Sequence, residues 1–228
     1  MLRFKHLALG ISLVIILAVV VLVFSCSPLQ PSATPTPSRQ SEEPALNQPV
    51  NEEPATEQNS TDLSHLINKN PAEVDNSRLP ITPTEELHVT GLAPKVETAE
   101  YRLVIDGLVD TPLTLTHKAL MRYPTVTEIV LLICPGFFAD NAEWTGVQVT
   151  TLLAEAGIKP EARQVAFYAL DGYQRVLSLE EVQREGVFLA HTVNGKILPK
   201  EHGYPLRLVV KGMYGGQWVK WVNRIEVM

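Results

Sequence analysis

Apolar and polar residues alternate along YRLVIDGLV from Tyr101. A two-residue period puts every second side chain on one face, so this stretch predicts a half-buried strand. Asp106-Gly107 and Asp110-Thr111-Pro112 then mark turns. LTHKALMRYP predicts a short helix stopped by Pro124, and TEIVLLI, apolar on both faces, predicts a buried strand. Residues 150–156 predict a short helix, with Gly157 just past its end where a left-handed cap is favoured. QVAFYAL predicts a strand that Asp171-Gly172 turns, and Ser178 with Glu181 has the spacing of a capping box opening a helix over SLEEVQRE. VFLAHTV predicts a strand before the hairpin signal Asn194-Gly195, and PLRLVV and WVKWVNRIEV predict the closing strands. Strands dominate, helices are short, and no regular β-α-β repeat is present. The expected fold class is α+β with a mixed β-sheet, not a doubly wound nucleotide fold.

These patterns are confined to residues 87–228, which hold all three tryptophans. The average of 45% hydrophobic residues therefore hides three unlike parts. Residues 1–26 carry Arg3 and Lys5 ahead of an uncharged apolar run, residues 7–24, long enough to cross the ~30 Å of a bilayer core at ~1.5 Å per residue. VFSC resembles a lipobox, which makes Cys26 a candidate lipidation site; the other reading is an uncleaved transmembrane anchor or signal segment ending at an incidental cysteine. On either reading the basic flank stays inside. The rest of the chain is expected at the extracytoplasmic (periplasmic) face of the cell membrane, tethered there. Residues 27–86 are rich in Pro, Ser and Glu and poor in aromatic and β-branched residues, so they read as a disordered linker, with TDLSHLINKN as a brief helical turn. The globular domain is expected at 87–228. A net charge of −6 with a pI near 5.5 argues against a nucleic-acid partner.

Chemistry centres on IVLLICPGFFADNAEWTGV, 129–147. Cys134 ends the buried strand at a Pro-Gly corner, followed by what reads as a long loop carrying Asp140, Asn141 and Glu143. A lone cysteine at a strand end is ordinarily a small buried hydrophobe. An unpaired thiol in an oxidising compartment is a liability unless something occupies it, and a soft metal would. No histidine lies at zinc-site spacing from it, while His191 or His202 could serve it as a base in a thiol enzyme. HGYPLRLVVKGMYGGQWVKW, 202–221, collects His202, Arg207, Lys211 and Lys220 among Gly203, Gly212, Gly215 and Gly216. Such a segment can cradle an anion on backbone amides and basic side chains, or it can be a hairpin with exposed charges. Tyr173, just past the Asp171-Gly172 turn, is either a pocket phenol or a strand-end aromatic.

Taken together, a cysteine followed by W-x-G, then LDGY, then LAHTVNGKILPKEHGYPLRLVV, then YGGQWVKWVNRIEV resembles the sulfite oxidase family, in its molybdopterin-binding oxidoreductase domain. The resemblance spans the globular part and implies a sulfite-oxidase-type molybdopterin-binding fold. It implies a molybdenum cofactor with a single pterin, Cys134 as the metal's thiolate ligand, and Tyr173 as the active-site tyrosine. It implies that His202, Gly203, Arg207, Gly215, Gly216 and Lys220 hold the pterin and its phosphate. The implied reaction is two-electron oxygen-atom transfer, with an external protein as electron donor or acceptor.

The sequence departs from the family in three places. Phe137, Phe138, Ala139 and Asp140 follow the cysteine where sulfite oxidases carry arginines, which disfavours a sulfite dianion and points to an S- or N-oxide, small or protein-bound. ELHVTGLAPKVETAEY, with His88, stands where the family has an Arg-Asn-His type segment. MLRFKH lacks the twin arginines of proteins exported with a loaded cofactor. The last two features support an alternative: a metal-free accessory or ligand-binding subunit on the same fold. Neither a haem domain nor a dimerisation domain after Met228 is expected, and the oligomeric state is left open.

Overall fold

The computed structural model describes residues 61–228. Strand β1 (Arg102–Gly107) buries Leu103 and Ile105 and leaves its alternate residues more exposed, as its two-residue period requires. It pairs antiparallel with β2 (Leu113–Thr116) and parallel with the last strand, β10 (Val222–Val227). On the far edge of β10 lies the hairpin of β5 (Gln164–Ala169) and β6 (Gln174–Ser178), completing a five-stranded sheet. A second sheet is built from β3 (Val126–Cys134), β4 (Phe138–Gln148) and β7 (Val187–Val193), with short β8 (Lys196–Ile197) and β9 (Arg207–Val210) both pairing with β7. One continuous core takes Leu103, Phe167 and Ile225 from the first sheet and Trp144, Phe188 and Leu208 from the second. Each such side chain stabilises the fold by about 1.5–3 kcal/mol on leaving water.

The first sheet is mixed and the second antiparallel throughout; the mixed sheet and the α+β class agree with the sequence reading, and the helices are short. Helix α1 (His117–Leu120) is one turn, and α2 (Val149–Ala156) ends at Gly157 with φ of 74°. Helix α3 (Leu179–Val182) opens with Ser178 and Glu181 bonded reciprocally, the capping box that their spacing predicts. No helix among the described residues is long and apolar enough to cross a membrane. The apolar run 7–24, Cys26 and the linker up to residue 60 lie outside the described residues.

Three expectations change. The segment after Cys134 is no long loop: Pro135, Gly136 and Phe137 form a tight turn, with Phe137 N–H donating to the Cys134 carbonyl at 3.0 Å, and β4 starts at Phe138. Residues 61–86, read as linker, pack on the domain. Leu63 and Leu66, at the 3₁₀ turn Ser64–Leu66, bury against Leu131, Ile133 and Ala139 of the β3–β4 hairpin. These apolar residues are too few and too irregular to order the segment alone; a prebuilt sheet face supplies what they lack. Finally, WVKWVNRIEV is a strand only from Val222, because Trp221 takes φ of 55° and its predecessors leave the sheet.

Candidate active site

Cys134 is the last residue of β3, half-buried, and its thiol is free. The β3–β4 turn delivers it to a cleft of about 320 Å³ that Tyr173, Arg207, Gly215, Gly216 and Lys220 also line, with Trp218 and Trp221 as apolar walls. Five sequence-predicted residues, Tyr173 from one segment and the other four from residues 202–221, thus meet the cysteine in one place. Tyr173 arrives on the β5–β6 hairpin, its hydroxyl donating to the Gly216 carbonyl at 2.8 Å. Arg175 Nε donates to the same oxygen, and its guanidinium lies over the Tyr173 ring at 4.9 Å. These contacts fasten the hairpin to the 3₁₀ turn Gly215–Gln217.

Arg207 is not an exposed hairpin charge. It is buried, its guanidinium between the Trp144 and Trp218 rings at 5.1 and 5.2 Å, with one nitrogen donating to the His202 carbonyl at 3.0 Å. Its Nε finds no acceptor. Burial pushes its pKa down to about 10. Lys220 lies over the Trp221 ring at 4.6 Å and donates to the carbonyls of Glu201, at 2.9 Å, and Thr90. Burial, and then the charge of Arg207, push it down to about 8. His202 and Gly203 stand behind this wall, not among the residues lining the cleft. His202 is buried and held below its ordinary pKa by burial, then by Arg207 and Lys220. Gly203, at φ of 116°, sits where a Cβ would come within 3.1 Å of both Arg207 and Lys220. Neither His202 nor His191 lines either of the cavities that hold Cys134, so the structure does not bring together the Cys–His pairs that the sequence offered for a thiol enzyme.

A second cavity, about 410 Å³, shares Cys134 and Thr90 with the first and is otherwise walled by His88, Val89, Phe137 and Phe138. Cys134 therefore stands between a basic cleft and an apolar one. The sequence marked the phenylalanines only as a departure and left His88 undecided. What identifies these three is their position around the cysteine, which needs the fold.

Two cations held in a low-dielectric wall, with no carboxylate in ion-pair range among the described residues, cost several kcal/mol unless an anion is supplied. Asp140 near Arg207, and Asp171 and Glu201 near Lys220, offset this only in part, and the Arg207 Nε is left without an acceptor. The cleft thus defines a domain suited to an anionic group beside a soft sulfur donor. A phosphorylated pterin with a sulfur-ligated metal fits that donor set.

Comparison with known proteins agrees. Residues 90–228 match the oxidoreductase molybdopterin binding domain, so the chain belongs to that family of molybdenum-cofactor-dependent oxidoreductases. It is 30% identical over 170 residues to an NADH nitrate reductase of Volvox carteri, covering 60% of this chain and 20% of that one. It is 33% identical over 146 residues to the protein-methionine-sulfoxide reductase catalytic subunit MsrP of Gluconobacter oxydans, covering 56% of this chain and 47% of that one. The sulfane dehydrogenase SoxCD of Paracoccus pantotrophus superposes with a TM-score of 0.61 at 33% identity, over 69% of this chain and 45% of that one. The chain thus spans about a fifth of the nitrate reductase and about half of the other two.

Proposed function

We propose that this chain is a membrane-tethered, extracytoplasmic oxidoreductase domain that reduces a neutral S-oxide or N-oxide, drawing electrons from an external protein donor. The observation that carries the reading is the placing of Cys134 between two cavities of opposite character. Arg207, Lys220 and the Gly215–Gly216 backbone would hold the pterin phosphate, and the Cys134 thiolate would ligate the metal. Bound there, the molybdenum cofactor supplies two-electron oxygen-atom transfer. On the other side, Phe137, Phe138 and Val89 receive the organic part of the substrate and exclude water. No Lys or Arg lines that second cavity, so nothing in it favours an anion such as sulfite or nitrate. The reaction balances for a sulfoxide when two protons and two electrons convert it to the thioether, its oxygen leaving as one water. The tether rests on the apolar run 7–24 and the linker after it.

The test is molybdenum content by elemental analysis, with pterin fluorescence and reduction of methyl phenyl sulfoxide by a reduced viologen dye. Wild type is expected to hold about one molybdenum per chain and to reduce the sulfoxide. Cys134→Ser is expected to lose metal and activity while keeping its circular dichroism spectrum. Wild type free of metal and pterin, taken from cells that make the cofactor, would make the chain a metal-free ligand-binding or accessory subunit.

A further inference from the structure

We infer that His88, held in place by Asp140, contacts the substrate oxygen, and that the N-terminal arm 61–88 is therefore a working part of the active site. The inference rests on the reading of Cys134 as the metal ligand. His88 lies two residues before residue 90, where the matched family region begins.

Asp140 is 2% exposed, and both its oxygens are spent on one residue. Oδ2 accepts the His88 backbone N–H at 2.9 Å, and Oδ1 accepts from His88 Nδ1 at 2.8 Å. The imidazole lies flat on Phe138, centroids 4.6 Å apart and planes 6° from parallel. Both the position and the rotation of the ring are thereby fixed, while about half of the side chain stays open to solvent. A histidine at the end of an arm would ordinarily turn freely, and burying a carboxylate to stop it is costly.

Docking the arm does not require that cost. The next residue, Asn141, is fully buried and already does the docking. Its carbonyl accepts from Thr82 N–H at 2.7 Å, its backbone N–H donates to Thr82 Oγ1 at 3.1 Å, and its side chain accepts from Asn76 at 2.9 Å. Along a strand, neighbours face opposite ways. Asn141, paired with Leu131, bonds the Asn76–Thr82 part of the arm, and Asp140, paired with Leu132, lies on the opposite face of the strand, where its partner is His88 at the arm's end. What the bond from Nδ1 adds is orientation: with Nδ1–H committed to Asp140, the free nitrogen is Nε2. His88 lines the same cavity as Cys134 between Val89 and the two phenylalanines, and it is the polar ring in an otherwise mostly apolar wall. In the doubly protonated ring, with Nδ1–H on Asp140, Nε2–H is a hydrogen-bond donor for the oxygen of a neutral S-oxide. Asp140 is the positioning residue behind it.

The experiment uses the full-length protein from cofactor-making cells. It compares wild type, His88→Ala, His88→Gln and Asp140→Asn for molybdenum per chain, for binding of methyl phenyl sulfone by calorimetry, and for KM and kcat on methyl phenyl sulfoxide. The sulfone keeps the oxygen acceptors and is not turned over. His88→Ala is expected to keep its molybdenum, to bind the sulfone about tenfold more weakly, as for one lost hydrogen bond, and to show a raised KM. His88→Gln, whose amide can donate, recovers part of that loss. Asp140→Asn weakens the sulfone in the same direction because an amide cannot accept both bonds. Sulfone binding within about twofold of wild type in a molybdenum-loaded His88→Ala, less than the loss of one hydrogen bond, overturns the inference. Loss of molybdenum from a folded His88→Ala also overturns it, assigning the ring to metal retention instead. Unchanged sulfone binding in Asp140→Asn removes the positioning role, and if that variant fails to fold, His88→Ala decides alone. Wild type without molybdenum defeats the functional reading beneath, and the inference with it.

Discussion

Lys220 gives the sharpest physical test of the basic cleft, through the pH dependence of the cofactor-free domain. Its ammonium is half-buried and is pushed down from 10.5 to about 8 by burial and by Arg207. At about 1.36 kcal/mol per pH unit this corresponds to roughly 3 kcal/mol, and solvent screening at a half-exposed group reduces it to about 1–2 kcal/mol. The sign follows from proton counting. Below pH 8 the lysine is charged in both the folded and the unfolded chain, so the full penalty weakens the fold. Between pH 8 and 10.5 the unfolded chain binds more protons, so stability rises with pH. Urea denaturation of protein from cells unable to make the pterin, at about pH 7.5 and about pH 10, should show this gain in wild type and not in Lys220→Met. In thermal unfolding the same gain is about 2–8 °C for a domain of this size. Lys220→Met also loses the bonds to the Thr90 and Glu201 carbonyls, but that offset is nearly independent of pH. Inorganic phosphate bound beside Lys220 should raise its pKa and flatten the wild-type curve. Identical pH dependence in the two proteins would refute the claim that the cleft holds incompletely compensated positive charge.

Two further outcomes follow from packing. Asn141→Leu removes the donor that serves the carbonyls of Leu79 and Pro80, at 3.3 and 3.4 Å, and the acceptor for Asn76; it should weaken arm docking by about 2–3 kcal/mol. Hydrogen exchange should then accelerate at residues 61–88 while the β-sheet amides keep their protection, and unchanged exchange in the arm would contradict its docking through Asn141. Gly146→Ala would place a Cβ 2.0 Å from the Leu189 carbonyl oxygen and 2.6 Å from the Ala190 Cα, both backbone atoms that no side-chain rotation can clear. It should cost at least about 3 kcal/mol in urea denaturation or prevent folding, and a loss under about 1 kcal/mol would show that β4 and β7 do not approach so closely.

Local signals in this chain were legible wherever the deciding interaction is local. Alternation gave β1, the spacing of Ser178 and Glu181 gave the cap of α3, and Gly157 gave the end of α2. Cys134, Arg207, Gly215, Gly216 and Lys220 could be picked out because a lone cysteine and a glycine-basic segment are unusual chemistry in a mildly acidic chain, and Tyr173 through the family resemblance. Strand β4 was hidden because Ala139, Asp140, Asn141 and Ala142 are buried together, which happens only when a second layer covers the strand. That layer is the arm, whose own sequence, rich in Pro and Asn, reads as linker.

By itself, then, the sequence determined the class of fold, through periodicity, and the residue types that meet at the site, while the molybdenum chemistry followed from the resemblance of its motifs to a known family. Only the tertiary structure decided that Arg207 is buried without a directly paired carboxylate, that Cys134 divides a basic cleft from an apolar one, and that His88 stands at the latter on the carboxylate of Asp140. These features depend on contacts between segments far apart in the chain. Burial and desolvation arise from the whole packed assembly, so no local window of the chain contains them.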